Sequence, residues 1–281
     1  MIRTDLAVEA HEMTEREGKE LRGVKVKTTE HGSIKRTVVD ILDTEGAAAV
    51  GKDIGRYVTI EAPQLKYSID DYETVCGMLA EELRAMSGSP GKTLVVGLGN
   101  RAITPDALGD EAVKQLIITS HIKKYMPEAF DKDFADVCAI VPGVMGSTGV
   151  ETAELVKGAV GRIKPDLIIA VDALAGADMS RVCSTVQITD TGIAPGSGVG
   201  NHRDGINRES LGCKVIAVGV PTVIAAELLS GDELAEEFKG IMVTTKDIDL
   251  VIARMAKTVA NGINKALHRN LTFREIEEFV G

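Results

Sequence analysis

Tryptophan is absent from the chain, and aromatic residues make up only 3% of it. A core must therefore be assembled mainly from valine, isoleucine, leucine, alanine and methionine. Cysteine is scarce as well. The four present, Cys76, Cys138, Cys183 and Cys213, show no C-x-x-C spacing, which speaks against a redox pair or a zinc site. A disulfide framework does not suit a chain of 281 residues with a real core. Cys138, Cys183 and Cys213 lie in or beside apolar runs and are expected to pack as small hydrophobes. No apolar stretch reaches spanning length without charge or glycine. The N-terminal stretch has no basic region followed by an apolar core. Neither a membrane span nor a secretory signal is expected, which places the chain in the cytoplasm. Basic charge is in deficit: 32 Lys and Arg against 42 Asp and Glu leave a formal net charge of −10. A nucleic-acid binder normally carries a basic footprint, so direct contact with nucleic acid is not expected. Small molecules, peptides and basic proteins are compatible partners.

Several catalytic signatures are missing too. There is no H-E-x-x-H for zinc. Ser147, in Met145-Gly146-Ser147-Thr148-Gly149, lacks the spacing of a nucleophile elbow, and nothing local nominates a Cys–His pair.

What is present reads as an ordinary globular chain, 44% hydrophobic and 26% charged, with no repeat and no low-complexity segment. The polar, acidic N-terminal stretch holds one short apolar patch, Leu6-Ala7-Val8, and is expected to be mobile unless something binds it. From residue 23 to 60 the pattern favours strands: Val24–Lys27, Ile34–Ile41 after a turn at Gly32, and Arg56–Ile60. Tyr72–Met86 reads as a helix ended by Ser87-Gly88-Ser89-Pro90. Apolar strands at Thr93–Val96, Val137–Val141, Leu167–Val171 and Val215–Val220 then alternate with helices at Asp110–Tyr125 and Thr152–Ile163. A core-facing helix runs from Ile248 to His268. This alternation predicts an α/β fold, a mostly parallel central sheet with helices on both faces and an additional β-rich N-terminal part. The expected layout is one domain over 1–281, with the β-rich part at 23–60 and the α/β core at 93–269. Sites in such folds form beyond the C-terminal ends of the strands, where Gly97, Pro142, Asp172 and Pro221 converge.

Gly97-Leu98-Gly99-Asn100-Arg101-Ala102 fits a G-x-G-x-x-A dinucleotide fingerprint. That fingerprint needs a helix at once and an acidic residue ending the next strand. Here Pro105 intervenes and the next strand ends in Val141-Pro142, so a tight glycine turn is the better reading. In Thr104-Pro105-Asp106, Thr104 reads as a cap and Pro105 as the first helical residue. Asp106 is then either a first-turn anion favoured by the helix dipole or a carboxylate held over the sheet edge. Asp172 ends an all-apolar run, Leu167-Ile168-Ile169-Ala170-Val171. Burial there favours the protonated form; the residue is either a satisfied core carboxylate or a functional one. If the two carboxylates meet, both cannot stay ionised cheaply. One becomes a proton donor and the other a base, a division that suits peptide hydrolysis by an activated water. Asp190–Asn201 contains a single Asp-Thr-Gly, without the fold pattern of pepsin-like enzymes. It reads as a substrate-lining loop or, almost as well, a plain connection. Candidate substrate-binding residues are Gly97, Gly99 and Asn100 at the first turn, with Gly196, Ser197, Gly198 and His202 in and after this loop.

The segments Arg3–Ala10, VVGLGN with TPDALG (95–109), AIVPGVMG with TG (139–149), IIAVDALA (168–175), PGSGVGN (195–201) and GVPTV (219–223) resemble, in order and over nearly the whole chain, the germination proteases of spore-forming bacteria. That resemblance implies an endopeptidase that cleaves small acid-soluble spore proteins during germination. It also implies a homotetramer in the forespore or spore core, with a fold shared with hydrogenase maturation proteases. The family is made as a zymogen that cuts its own N-terminus at a site like Thr-Glu, an apolar residue, Ala, a polar residue and Glu. Thr4-Asp5-Leu6-Ala7-Val8-Glu9 imitates this, implying self-cleavage between Asp5 and Leu6 and a propeptide of Met1–Asp5. The family's aspartic pair falls on Asp106 and Asp172, and no cofactor or metal is implied. The stretch after Val223 lacks a long insertion seen in many members. Two other readings stand beside this one: a maturation-type metalloprotein holding a divalent metal through Asp106, Asp172 and a histidine such as His202, and a non-catalytic nucleotide-binding module built on Gly97–Asn100.

Overall fold

The computed structural model describes residues 4–18, 21–129, 134–195, 204–229 and 237–280. The first described helix is α1 (Ala7–Arg16), and the N-terminal stretch, expected to be mobile unless bound, is bound by the rest of the chain. The apolar patch is what holds it. Ala7 packs with Val39, Ile41 and Tyr57, Leu6 and Val8 pack with Leu174, and all three patch residues are buried.

Strands β1 (Val24–His31) and β2 (Ile34–Ile41) form a hairpin around Gly32. Helix α2 (Thr44–Val50) follows, capped by Asp43, whose carboxylate accepts from the Gly46 N–H. Strand β3 (Gly55–Glu61) and helix α3 (Tyr72–Ser87) lead to β4 (Lys92–Gly97). Two short helices come next, α4 (Leu108–Val113) and α5 (Ser120–Tyr125), in place of the single helix expected over 110–125. The break has a physical cause. The Ile117 N–H donates to the Asn264 side chain and the Thr119 N–H to the Val137 carbonyl, so the backbone there is bonded to its neighbours rather than to its own turn. Then come β5 (Asp136–Ile140), α6 (Met145–Thr148), α7 (Thr152–Ile163), β6 (Leu167–Gly176) and β7 (Thr185–Thr189). The chain closes with α8 (Arg208–Leu211), β8 (Lys214–Ala225), β9 (Met242–Val243), α9 (Ile248–Leu267) and α10 (Phe273–Val280).

Among the described residues the strands form one nine-stranded sheet in the order β1-β2-β3-β7-β8-β6-β4-β5, with β9 paired to β8. The run β8-β6-β4-β5 is parallel. Through β7, the antiparallel strands β1 to β3 continue the same sheet. The α/β expectation is met, and the β-rich N-terminal part is an extension of the central sheet. The exposed edge strand β1 carries lysines and threonines, which discourages further pairing.

Strand alternation divides the core. Val95, Ile169, Val171, Ile216 and Val218 meet α3 and α9 on one face. Leu94, Val96, Ile168, Ala170 and Val215 meet Val156 of α7 on the other. The last long helix presents Val251, Ile252, Met255, Val259 and Ile263 to the core as its spacing predicts. Cys76 and Cys183 are buried, Cys138 and Cys213 half-buried, and all four are free thiols. Among the described residues no helix is long and apolar enough to cross a membrane.

Two strands run further than their sequence suggests. β6 was expected to end at Val171 and β8 at Val220, yet both continue, paired, to Gly176 and Ile224. The ladder between β4 and β6 does end at Gly97 opposite Val171. Asp172 is therefore the first β6 residue beyond its neighbour's end, although it lies inside its own strand. The pairing of β6 with β8 shifts register between Leu174 and Ala175. Pro221, which has no N–H to give a ladder, is tolerated beside such a bulge.

Candidate active site

The site begins with a row across three strands. Asp172 on β6 pairs with Gly219 on β8, which pairs in turn with Gln187 on β7. Paired residues point to the same face of a sheet, here the face that carries α7 and α1. Asp172 and Gln187 thus flank a position without a side chain, two strand spacings or about 9.5 Å apart at their Cα atoms. A Cβ on Gly219 would come within 2.5 Å of Leu174, so the glycine lets Leu174 lean into the row. Asp172 is 4% exposed, and one of its oxygens accepts from the Ala173 N–H at 3.0 Å.

Asp106 arrives from the other side of β6. β4 stops at Gly97, and the Leu98 N–H donates to the Val171 carbonyl at 2.8 Å. Gly99 then turns at φ +105°, where a Cβ would lie 2.0 Å from the Asp106 carbonyl oxygen. Only glycine allows both that angle and that approach. A single 3-10 turn, Thr104–Asp106, delivers the carboxylate. Thr104 lies within this turn and makes no side-chain cap, contrary to expectation. The Asn100 N–H donates to Asp106 Oδ2 at 2.8 Å, which orients the carboxylate, and Asp106 is half-buried.

Both carboxylates border one cavity of about 450 Å³ with mostly apolar walls, among them Leu98, Val144 and Val223. A second cavity of about 210 Å³ adjoins it, bordered by Asp172, Gln187, Lys52 and Tyr57. Asp5 and Asp172 border both.

The N-terminal segment lies across this junction. The Asp5 N–H donates to the Ala175 carbonyl at 2.9 Å, and the Ala175 N–H returns a bond to Asp5 Oδ2 at 2.8 Å. On the other side, Gln187 Nε2 donates to the Asp5 carbonyl at 3.0 Å, and the Ala7 N–H donates to Gln187 Oε1 at 2.7 Å. Leu6 is fully buried. Lys52 Nζ donates to the Thr4 carbonyl at 2.8 Å. Burial pulls the Lys52 pKa below the usual lysine range against the opposing pull of Asp5, Asp53 and Glu9. Burial also pushes the Tyr57 phenol up to about 12. Further along α1, Glu9 accepts from the Thr4 hydroxyl and from the Ala177 and Asp178 N–H groups beyond β6. Arg181 adds a paired bond to Glu12 at 2.7 and 2.8 Å and one to Glu61 at 2.8 Å. Burial alone would lower the Arg181 pKa; Glu12 and Glu61 outweigh it and hold the guanidinium above its ordinary value.

The other sequence candidates fall as follows. Gly99 borders the larger cavity. Asn100 contributes its backbone N–H, while its side chain bonds the Ala102 N–H. Gly97 packs under α4, where a Cβ would lie 2.4 Å from the Gly109 carbonyl oxygen, and it borders neither cavity. Gly196, Ser197, Gly198 and His202 lie outside the described residues. The start of their loop, Thr191–Ala194 and then Pro195, borders the two cavities in turn. No α-helix follows the Gly97–Ala102 turn directly, which removes the geometry of a dinucleotide fingerprint. Gln187 was not singled out from the sequence. Its one signal is a large polar residue between apolar neighbours, Val186 and Ile188, in a strand buried throughout.

A sequence model described as Germination protease matches residues 2–239. The chain is 43% identical to the germination protease of Clostridium perfringens, aligned over 322 positions and covering 99% of each chain. It is 37% identical to that of Bacillus subtilis over 349 positions, covering 97% of this chain and 95% of the other. Both alignments are longer than the 281 residues here, so these relatives hold insertions that this chain lacks. Among solved structures, a [NiFe] hydrogenase maturation protease, HycI, from Thermococcus kodakarensis KOD1 aligns with 66% of this chain and 98% of its own at 18% identity and a TM-score of 0.39, too low a similarity to carry an argument.

Proposed function

Because the chain belongs to the germination protease family and is on that ground a peptidase of spore germination, we propose that it is an aspartic-type endopeptidase acting on small acid-soluble spore proteins, and that it processes itself between Asp5 and Leu6. Asp106 and Asp172 share one proton in this reading. The ionised carboxylate takes a proton from a water whose oxygen adds to the scissile carbonyl carbon, and the carbonyl electron pair moves onto its oxygen. Collapse of that intermediate breaks the C–N bond, and the protonated carboxyl gives its proton to the leaving nitrogen. The observation that carries the reading is that Asp106, on the 3-10 turn that follows β4, and Asp172, within β6, border one cavity, and that Asp5 borders it with them. Its apolar walls lower the local dielectric, which makes sharing one proton between two carboxylates favourable. A homotetramer within the forespore or spore core belongs to the same proposal.

The test is incubation of the purified protein with a small acid-soluble spore protein in the presence of a chelator, with product masses read over time. Cleavage after an acidic residue and before an apolar one is expected. Intact substrate after prolonged incubation with active, self-processed protein would overturn the assignment of substrate. Cleavage that disappears only with chelator would move the chemistry to a metal.

A further inference from the structure

We propose that Gln187 is a catalytic residue of self-processing, its side-chain amide donating to the oxygen of the peptide bond to be cut; this rests on the reading that Asp5–Leu6 is that bond. Four observations carry it. Gln187 Nε2 already donates to the Asp5 carbonyl at 3.0 Å. Its Oε1 accepts the Ala7 N–H at 2.7 Å, so one primary amide grips the chain on both sides of Leu6 as the backbone of a neighbouring strand would. The amide is itself fixed, since Gln187 is 5% exposed within a strand bonded on both sides. Finally, Gln187 shares the row Asp172-Gly219-Gln187, so the donor and the carboxylate rise from the same face of the sheet on either side of a residue with no side chain.

The chemistry follows from the bond that is broken. When water adds to the Asp5 carbonyl carbon, negative charge develops on the carbonyl oxygen. A fixed N–H aimed at that oxygen interacts more strongly with the charged form than with the neutral carbonyl, and so lowers the barrier. The donor must be placed before reaction, and the second bond, to the Ala7 N–H, places it. The electron pair returns from the oxygen as the C–N bond breaks, the protonated carboxyl of the pair gives its proton to the Leu6 nitrogen, and Gln187 ends unchanged.

The experiment follows loss of Met1–Asp5 by intact mass in the full chain, with hydrogen exchange over α1 measured in parallel. Gln187→Met keeps the length of the side chain and removes the donor. With α1 as protected as in wild type, it is expected to self-process about 10²–10³-fold more slowly, the usual effect of losing one such donor. Wild-type rates in a protected Gln187→Met would overturn the proposal. If Gln187→Met loosens α1, Gln187→Glu decides, because it keeps an acceptor for the Ala7 N–H. Slow processing with α1 protected supports the donor role, and an unchanged rate overturns it. A wild type that never loses Met1–Asp5 while it cleaves protein in trans removes the self-processing reading itself, a result distinguishable from an inert Gln187.

Discussion

Asp106 reaches its cavity because Gly99 leaves room for it. At φ +105°, with 2.0 Å between a would-be Cβ and the Asp106 carbonyl oxygen, Gly99→Ala must move the turn that carries the carboxylate. The strained angle alone costs about 1–3 kcal/mol. The expected outcome is a lower melting temperature together with loss of self-processing, whereas Gly51→Ala, also at positive φ but with open space around it, should lose stability and retain processing. Intact mass and thermal melting on the two variants check this. Arg181 is the second decisive residue. Its 8% exposed side chain answers Glu12 and Glu61 and lies 3.8 Å from Glu9. Removing one partner of a buried ionic cluster leaves the others desolvated and uncompensated, at about 3 kcal/mol or more. Arg181→Met should therefore destabilise by roughly that amount, measurable by denaturant unfolding. The two aspartates were legible in the sequence because each stands out against its surroundings: Asp172 closes an apolar run and Asp106 follows a glycine-proline turn. Gln187 was not, because a polar residue in a short strand gains its meaning only from Asp5 and Ala7, some 180 residues away.

The element on which most depends is α1. Its sequence looks like a loose end because its one apolar patch, Leu6-Ala7-Val8, stands in a mostly polar stretch. Each residue of the patch is fully or almost fully buried, which stabilises the helix through packing rather than through its own short length. Its polar residues are not solvated decoration either, since Glu9 and Glu12 face Arg181 and the N–H groups of residues 177 and 178. Those contacts all lie on the C-terminal side of the Asp5–Leu6 bond. Loss of Met1–Asp5 should therefore leave α1 docked, with hydrogen exchange over Ala7–Arg16 unchanged after processing; rapid exchange there in the processed form would contradict the account. The other elements differ in how far their own sequence declares them. α3, α7, α9 and the apolar strands declare themselves by period, capping glycine or unbroken apolar run. α2, β7 and α10 do not, being short and dependent on tertiary partners. The break between α4 and α5 is invisible in the sequence because Asn264 and Val137 cause it from a distance.

At the scale of the molecule, one sheet ties the N-terminal hairpin to the parallel strands, and α9 ties the sheet to the chain's end. His268, at the close of α9, is fully buried. It accepts the Ala135 N–H at Nδ1, which leaves Nε2 to donate to the Ile117 carbonyl. Burial holds its pKa below the ordinary 6.5. The neutral form is therefore favoured in the folded state, while the unfolded chain takes up a proton below about 6.5. Stability should fall as pH drops from 6.5 toward the depressed folded value and change little through this group above 6.5. Melting curves between about pH 7.5 and 5.5 check the slope, which His268→Gln should flatten even though it lowers stability overall. The central claim, that Asp106 and Asp172 together hydrolyse a peptide bond, is tested most directly by intact mass over time for wild type, Asp106→Asn and Asp172→Asn with a chelator present. The account predicts loss of Met1–Asp5 in wild type and in neither variant, all three remaining folded. Loss of the same segment in both variants would contradict it.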